Sequence, residues 1–422
     1  MTDTNPNDLL RAMFDAAVRA ADPMRVVPQA LPPRRPERLW VVGAGKASAR
    51  MAEAVESVWG PCPGLVITRY GYARPCQGIE IVEAAHPVPD QAGVEGTKRI
   101  LQSLEEMGQG DFVLSLISGG GSALLCAPAG RITLAEKQAV NAALLASGAP
   151  IGEMNVVRQQ LSLVKGGQMA AAAWPARMLS LMISDVPGDD MALIASGPTV
   201  GTGGTAADAQ RIITRYQIDV PRSVSDALAG PGSVVRPGDP RLAGVENRIV
   251  AAPMQSLQAA AKVAEAAGYR VEILSADLEG EARDLAVKQA HKAMKLQQEM
   301  PPGSQPVVLV SGGECTVTRR GSGVGGPNAE FVLAAALALD RKSGIHVLAC
   351  DTDGVDGAAE VAGAIIGPDI LKTARAGGVD AEKALQNNAA HDFFEATGGQ
   401  VVTGPTLTNV NDFRAVLILP PA

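Results

Sequence analysis

The stretch SLISGGGSALL, residues 115–125, places three consecutive glycines directly after an apolar run. A second stretch, VVLVSGGECTV at residues 307–317, also has an apolar run followed by Ser-Gly-Gly. Glycine lets the backbone N–H groups of a turn approach an anion, and a helix that follows adds the partial positive charge of its N-terminus. One such turn would indicate only a tight connection. Two of them favour a pair of anion-binding loops that flank one site.

Strands and helices alternate on both sides of these turns, which predicts an α/β fold with a mostly parallel sheet covered on both faces. The segments RLWVV (38–42), GLVIT (64–68) and FVLSLI (112–117) are short apolar strands separated by turns and helical segments. The region 201–245 is rich in Gly and Pro and interrupts the alternation, which resumes at residue 248. This interruption indicates an excursion or a hinge between domains.

The bulk properties of the chain limit its partners and its compartment. A length of 422 residues favours two domains over one core. The net charge is −7 and no long basic block occurs, which argues against nucleic acid and anionic membranes as partners. The scattered cysteines, the lack of a recognisable signal peptide and the short apolar runs favour a cytoplasmic protein that acts on small molecules. The oligomeric state is left open.

The candidate site residues follow predicted strands, because ligands of parallel sheets bind where strands end and loops lead into helices. In the N-terminal half they are Gly43, Gly45 and Lys46, then Ser118, Gly119, Gly120, Gly121 and Ser122, and finally Asp189. In the C-terminal half they are Ser311, Gly312, Gly313 and Glu314, followed by Asp351 and Asp353 of DTDGVDG. The glycine turns are predicted to hold anions, and the carboxylates to hold Mg²⁺, which prefers oxygen ligands.

Other cofactors fit these motifs poorly. GAGKAS at 43–48 resembles the dinucleotide fingerprint G-x-G-x-x-G only in part, because Ser48 stands at the third glycine and Arg69, not an acid, ends the second strand. DTDGVDG begins like a calcium loop, but Asp356 occupies the position of the loop glycine and Ala362 that of the closing Glu. We therefore expect neither NAD(P) nor calcium.

Three further side chains have two readings each. Arg158 and Lys165 lie on one face of a predicted helix, either as cations of the site or as part of a solvated basic face. His86, which precedes prolines at a strand end, is either a ligand contact or a structural turn histidine. These alternatives stay open at the level of sequence.

Eight segments together resemble the bacterial and archaeal-type glycerate 2-kinases, some of which carry a hydroxypyruvate reductase name. The segments, in chain order, are VGAGKAS, SGGGSALL, NVVRQQLSLVKGGQMA, SDVPGDDMALIASGPT, SGGECTVT, GSGVGGPNAEF, DTDGVDG and TNVNDF. The resemblance spans residues 8–419. It implies a Rossmann-like N-terminal domain over 1–240, with 241–300 as an optional extension of that domain, and a smaller MOFRL-type α/β domain over 301–422. The active site is expected in the cleft between the two domains.

The same resemblance implies ATP-dependent phosphorylation of D-glycerate at its C2 hydroxyl, giving 2-phosphoglycerate, with Mg²⁺ or a similar divalent ion. Phosphoryl transfer depends on positioning and charge neutralisation more than on a covalent nucleophile. Lys46 and Asp189 are the catalytic candidates, and Asp351, Asp353 and Asp189 the metal candidates. The glycine turns, Arg158, Glu314 and Asn328 are expected to bind ATP, phosphate or substrate.

One position departs from the family pattern and leaves the substrate-binding cation open. Many members have Arg after the paired glycines, where this chain has Pro327. Proline suits a first helical position because its missing N–H is not needed there, but it carries no charge. Arg319 and Arg320 in the adjacent loop are the candidate replacements. An NAD(P)H-dependent hydroxypyruvate reductase, a kinase of another small 2-hydroxy acid and a non-catalytic binding module remain alternatives.

Overall fold

The computed structural model describes residues 5–340 and 342–421, which form two compact units. The central unit spans Pro23–Val250, and the terminal unit combines the described residues up to Asp22 with those from Ala251 onwards. The sequence-based boundaries at residues 240 and 300 differ from this division, because the first helix of the chain packs with the C-terminal half. No helix in the described part of the chain is long and apolar enough to cross a membrane.

The strands are numbered in chain order. They are β1 (Leu39–Ala44), β2 (Gly64–Arg69), β3 (Ile79–Ala84), β4 (Phe112–Ile117), β5 (Arg177–Ile183), β6 (Val245–Ala251), β7 (Arg270–Ser275), β8 (Gly280–Glu281), β9 (Val307–Ser311), β10 (Cys315–Thr316), β11 (Ile345–Asp351), β12 (Gly363–Ile366), β13 (Gln400–Val401) and β14 (Asp412–Ile418).

The α-helices are numbered in the same way. They are α1 (Pro6–Ala20), α2 (Pro23–Ala30), α3 (Ser48–Trp59), α4 (Gln91–Glu105), α5 (Gly121–Leu124), α6 (Leu134–Ala146), α7 (Ile151–Gln160), α8 (Gln168–Ala172), α9 (Ala206–Arg215), α10 (Arg222–Leu228), α11 (Pro253–Ala266), α12 (Ala282–Glu299), α13 (Pro327–Leu339), α14 (Ile370–Ala376), α15 (Ala381–Gln386) and α16 (Ala390–Thr397). Short 3-10 turns lie at Pro187–Asp189, Ile194–Ser196 and Pro240–Leu242.

The sheet of the central unit has the strand order β3-β2-β1-β4-β5-β6. Strand β1 pairs in parallel with both β2 and β4, and the β2–β3 and β4–β5 pairs are also parallel. Strands β1, β2, β4 and β5 are almost wholly buried, as expected for parallel strands covered on both faces. The order reverses between β1 and β4, so their C-terminal ends form the switch point at which open α/β sheets bind ligands.

The sheet of the terminal unit is mixed, with the order β13-β12-β11-β14-β9-β7. Strand β14 lies between β9 and β11 and runs antiparallel to both. Strands β9 and β11 therefore end at the same edge, and β14 begins there. Asp351 is paired in register with Asp412, and Ser311 with Arg414. This arrangement brings the SGGE and DTDGVDG segments to one edge although the sheet is not parallel.

Helix α1 belongs to the core of the terminal unit. Its apolar side chains, among them Leu10, Met13 and Phe14, are fully buried and pack with α11 and the strands of the mixed sheet. The ring of Phe14 lies 6.0 Å from that of Phe413 between centroids. Asn5 caps the helix by accepting a hydrogen bond from the N–H of Asn7 at 2.9 Å.

The Phe14→Ala substitution should therefore destabilise the terminal unit alone. We expect a loss of about 3–5 kcal/mol in its free energy of unfolding, because a large buried ring is removed. Hydrogen exchange followed by mass spectrometry should show faster exchange in α11 and β14 and unchanged exchange in β1 to β5. The matched control is Val402→Ala, at a position that is 59% exposed. Equal loss of protection in both units would contradict this division of the chain.

Candidate active site

The turns after β1 and β4 are bound to each other at the switch point. The N–H of Lys46 donates to the carbonyl oxygen of Gly119 at 2.8 Å, and the N–H of Ala47 donates to Ser118 Oγ at 3.0 Å. The N–H of Ser118 in turn donates to the carbonyl of Ala44 at 3.3 Å. Ser118 is fully buried, so its hydroxyl and its N–H hold this junction. Ser118 therefore has a structural role, and the ligand contact predicted for it stays a prediction.

The N–H groups of residues 45–48, in the turn after β1, all donate to acceptors within the protein. The N–H of Gly45 donates to the carbonyl of Ile67 at 3.1 Å, and that of Ser48 to the carbonyl of Gly45 at 3.2 Å. A Cβ atom on Gly43 would lie 2.3 Å from the carbonyl oxygen of Leu116. Gly43 and Gly45 thus allow β1 to pack against its neighbours, and their role in anion binding stays a prediction.

The 118–122 turn does present N–H groups. Those of Gly119, Gly120 and Ser122 donate to no acceptor within residues 5–340 and 342–421. Gly120 has a left-handed φ of 80°, and a Cβ atom there would lie 3.0 Å from His86 Nε2 and 3.1 Å from Lys46 Cγ. Only glycine fits this position comfortably. The stem of Lys46, the ring of His86 and the open N–H groups therefore meet at one point.

A strained segment supports the far end of this turn. Ala195 and Ser196 have left-handed φ values of 51° and 62°, which are uncommon for residues with a side chain. The hydroxyls of Ser122 and Ser196 are 2.8 Å apart, and Ser196 Oγ also donates to Asn155 Oδ1 at 3.1 Å. Next to it, a Cβ atom on Gly121 would lie 2.7 Å from Ala195 Cβ. Sequence reasoning missed Ser196, although it lies within the segment SDVPGDDMALIASGPT.

Beside the 118–122 turn lies a pocket of about 260 Å³, formed wholly by the central unit. Its polar lining comprises His86, Ser122, Lys137, Asn141, Arg158 and Lys165. Its apolar wall comprises Val140, Leu144, Leu145 and Leu161. Arg158 and Lys165 both line this pocket, but not from one helix face as predicted, because α7 ends at Gln160 and Lys165 lies in the turn before α8. Lys137 on α6 was not recognised in the sequence, since nothing local distinguishes it from a surface lysine.

Lys165 is a buried cation that supports the turn. Its side chain is 1% exposed, and its Nζ donates to the carbonyl oxygens of Ser122 at 2.6 Å and Leu125 at 3.0 Å. Burial holds the pKa of Lys165 well below its usual range, and the charges of Lys137 and Arg158 lower it further. Lys165 therefore fixes the main chain at the C-terminal end of the 118–122 turn.

Lys137 and Arg158 face the pocket with few partners. Arg158 Nε donates to Asn141 Oδ1 at 2.8 Å, and Lys137 Nζ donates to the carbonyl oxygen of Leu161 at 3.4 Å. Burial lowers the pKa of both groups. In the described part of the chain neither cation forms an ion pair, and no Asp or Glu lines the pocket. The pocket therefore carries positive charge that the protein itself does not balance.

Asp189 occupies the loop after β5, as predicted. It has a left-handed φ of 56°, and its neighbour Gly188 has a φ of 70°. The buried Oδ1 atom of Asp189 finds no hydrogen-bond partner among the residues that the structure describes. A buried acceptor without a donor is uncommon in folded proteins and suits a ligand contact.

In the terminal unit, a buried hydrogen bond stabilises the start of the 311–314 turn. Ser311 is buried, and its hydroxyl accepts a hydrogen bond from Gln289 Nε2 at 3.1 Å, so this hydroxyl also has a structural role. Gly313 has a left-handed φ of 99°. Glu314 is exposed on the turn that precedes β10. The ligand contacts predicted for Gly312, Gly313 and Glu314 stay predictions.

Arg414 is the residue that fixes the 311–314 turn. It is 1% exposed, and its guanidinium donates to the carbonyls of Gly312 at 3.0 Å and Gly313 at 2.7 Å and to Asp412 Oδ2 at 2.8 Å. Burial raises the pKa of the Asp412 carboxyl, and the adjacent guanidinium opposes this rise. The sequence signal for Arg414 was a charged residue at the start of the apolar segment RAVLIL.

The N-terminus of α13 already holds a carboxylate. The helix begins at Pro327, as expected, and the N–H groups of Asn328 and Ala329 donate to the two oxygens of Asp356 at 2.9 and 2.8 Å. The side chain of Asn328 donates to Asp412 Oδ1 at 2.6 Å. Asn328 is therefore buried and its amide nitrogen is bound internally, whereas its buried Oδ1 finds no hydrogen-bond partner among the described residues. Its predicted contact with nucleotide or substrate stays a prediction.

Asp351 and Asp353 form the acidic corner at the end of β11. Asp351 Oδ1 accepts from the N–H of Asp353 at 2.9 Å, and Asp353 Oδ1 accepts from the N–H of Val355 at 2.8 Å. The described residues contain no group of three or more His, Cys, Asp or Glu side chains arranged to hold a metal. The all-oxygen donor pair suits Mg²⁺, which commonly takes one or two carboxylates and completes its shell with water and phosphate.

Comparison with known proteins identifies relatives that share this architecture. Residues 9–229 match the domain of unknown function DUF4147, and residues 307–412 match the MOFRL family. A D-glycerate 2-kinase of Thermotoga maritima is 36% identical over 96% of both chains, and a glycerate 2-kinase of Pyrococcus horikoshii is 36% identical over 95% of both. The crystal structure of the T. maritima glycerate kinase matches 98% of this chain and 99% of its own, with a TM-score of 0.88.

A protein of Agrobacterium vitis is 49% identical over 99% of this chain and 95% of its own. Its name, hydroxypyruvate reductase, is itself marked as provisional. The shared fold defines a class of α/β proteins in which this chain has two compact units. The chain belongs to the glycerate kinase family, and it carries both a DUF4147 match and a MOFRL match. The family resemblance and the fold class predicted from the sequence are thereby confirmed.

Arg414→Met should destabilise the terminal unit by about 3–5 kcal/mol, because it leaves the Asp412 carboxylate buried without its partner. The double variant Arg414→Met/Asp412→Asn should recover much of this loss, since it removes both charges. Guanidinium titration of the two variants and the wild type, followed by circular dichroism, measures the difference. Equal destabilisation in the single and double variants would show that the two charges are not coupled.

Proposed function

We propose that this protein phosphorylates D-glycerate at its C2 hydroxyl, with ATP as the phosphoryl donor, and releases 2-phosphoglycerate. The observation that carries the proposal is the meeting of Lys46 with the open N–H groups of the 118–122 turn at the sheet switch point. Phosphoryl transfer needs fixed positive charge and hydrogen-bond donors around the transferring group. The 36% identity to a D-glycerate 2-kinase along 96% of the chain supports the choice of substrate.

The residues of the central unit have distinct tasks in this proposal. The ammonium group of Lys46 neutralises charge on the transferring phosphoryl group. The N–H groups of Gly119 and Gly120 donate to its oxygens. Asp189, whose buried Oδ1 lacks a donor within the described chain, accepts the hydrogen of the C2 hydroxyl and orients its oxygen for attack.

The terminal unit supplies the acidic groups. Asp351 and Asp353 would hold Mg²⁺, which neutralises charge on the nucleotide phosphates when it is bound. Glu314, on the adjacent turn of the same sheet edge, would hydrogen-bond the nucleotide. Arg414 and Asp412 keep this edge in place through their bonds to Gly312 and Gly313. The expected cleft between the two domains, and the replacement of the family arginine by Arg319 or Arg320, stay predictions.

A hydroxypyruvate reductase is the second candidate, because the relative from A. vitis carries that name. Nicotinamide dinucleotides bind through N–H groups of the turn after β1. Here those of Gly45, Lys46, Ala47 and Ser48 already donate to acceptors in the protein. Arg69 at the end of β2 stacks on the ring of Tyr72 at 4.6 Å. These contacts favour the kinase.

One assay separates the candidates. Phosphorus and carbon NMR of a mixture of protein, ATP, Mg²⁺ and D-glycerate should show 2-phosphoglycerate and ADP. The same protein without ATP should leave the absorbance of NADH and NADPH unchanged when hydroxypyruvate is added. Oxidation of either nucleotide would favour the reductase, and product formation only with another 2-hydroxy acid would correct the substrate.

Lys46→Ala should lower kcat for 2-phosphoglycerate formation by at least about 100-fold, because the loss of one charge-stabilising donor commonly costs 10²–10³. The fold should be retained, since the bond between the N–H of residue 46 and Gly119 uses the main chain. Circular dichroism and melting temperature check this point. The control is Lys98→Ala, at an exposed position of α4 in the same unit. Undiminished ATP-dependent turnover in the Lys46 variant would refute the assigned role.

A further inference from the structure

We infer that the pocket lined by Lys137, Arg158 and Lys165 binds the carboxylate of the acceptor acid, with Lys137 and Arg158 as its charge partners. The inference rests on the proposed function in taking a small 2-hydroxy acid as the acceptor. It adds the acid-binding subsite and two residues that determine its specificity.

The first argument is the balance of charge. Three cations line one small pocket, and none of them forms an ion pair with a described residue. Lys165 is buried and Lys137 and Arg158 are half-buried, and like charges removed from water without a counter-ion destabilise a folded protein. Lys165 Nζ is satisfied by two carbonyl oxygens. Only Nε of Arg158 is hydrogen-bonded to the described chain, so its Nη groups and Lys137 are the donors that a bound anion would meet.

The second argument separates the acid from the nucleotide. A nucleotide triphosphate brings a divalent cation, which proteins hold with carboxylates. No Asp or Glu lines this pocket, whereas Asp351 and Asp353 lie in the terminal unit. The volume points the same way, because sites for drug-sized ligands measure roughly 300–1,000 Å³. At about 260 Å³, the pocket suits a small acid better than a whole nucleotide.

The third argument is the position of the pocket. Gly120 and Ser122 line it and also belong to the turn over which the stem of Lys46 lies. An acid whose carboxylate meets Lys137 and Arg158 can therefore extend its C2 hydroxyl towards Lys46. Asn141 Oδ1 is engaged by Arg158 Nε, which leaves the amide NH₂ of Asn141 as a donor for a substrate hydroxyl.

The test compares the two substrates in two variants, Lys137→Met and Arg158→Met. Each variant keeps an unbranched apolar stem and removes the charge. We expect KM for D-glycerate to rise at least tenfold in each variant, because a charge-assisted bond to the carboxylate is lost. KM for ATP should stay within twofold of the wild type. The melting temperature of Lys137→Met should not fall, since a half-buried charge without an ion pair is removed.

Direct binding gives a readout that is independent of turnover. Titration calorimetry with D-glycerate in the absence of ATP should show binding to the wild type and to the control Lys98→Met, and at least tenfold weaker binding to both pocket variants. Unchanged D-glycerate affinity in both pocket variants would overturn the inference. A rise in KM for ATP with an unchanged KM for D-glycerate would also overturn it, because the pocket would then belong to the nucleotide.

These outcomes separate the inference from the proposed function. If the wild type binds D-glycerate through Lys137 and Arg158 but forms no 2-phosphoglycerate, the inference holds and the proposed function fails. If the wild type forms 2-phosphoglycerate and both pocket variants keep their KM for D-glycerate, the proposed function holds and the inference fails.

Discussion

The hydrogen bonds between the turns after β1 and β4 are the constraint on which the site depends. They engage N–H groups of the 43–48 turn and the hydroxyl of Ser118, which are therefore bound within the protein. As a result, the stem of Lys46 lies against Gly120, while the N–H groups of Gly119 and Gly120 stay open to a ligand. The 43–48 turn therefore holds the site together, and the 118–122 turn offers donors to a ligand. The neighbouring pocket, supported by Lys165, extends the same arrangement with positive charge.

The fold class was predictable from the sequence, whereas the pairing of distant elements was not. Apolar runs that end in glycine turns identify buried parallel strands through local pattern alone. The placement of β14 between β9 and β11, and of α1 on α11, depends on contacts between segments far apart in the chain. No local pattern in α1 distinguishes a helix that packs on the next strand from one that packs on a sheet 240 or more residues later.

The sequence located the site regions better than it assigned tasks within them. The sequence does not distinguish a glycine that lets two strands approach, as Gly43 does, from one that leaves room for a lysine stem, as Gly120 does. Asn328 was expected at a ligand, yet it binds two buried aspartates. Lys137 escaped notice because its partial burial arises from the packing of α6 and α7, which composition does not reveal. Arg414 carried a visible signal, a cation in an apolar strand.

The discontinuity of the terminal unit has a consequence for synthesis on the ribosome. Helix α1 is made first, but α11, its packing partner, begins only at Pro253. At the usual elongation rates of roughly 5–20 residues per second, α1 waits on the order of ten to fifty seconds with its apolar face uncovered. The central unit emerges complete in that interval. The nascent chain therefore exposes the apolar face of α1 at least until α11 has been synthesised.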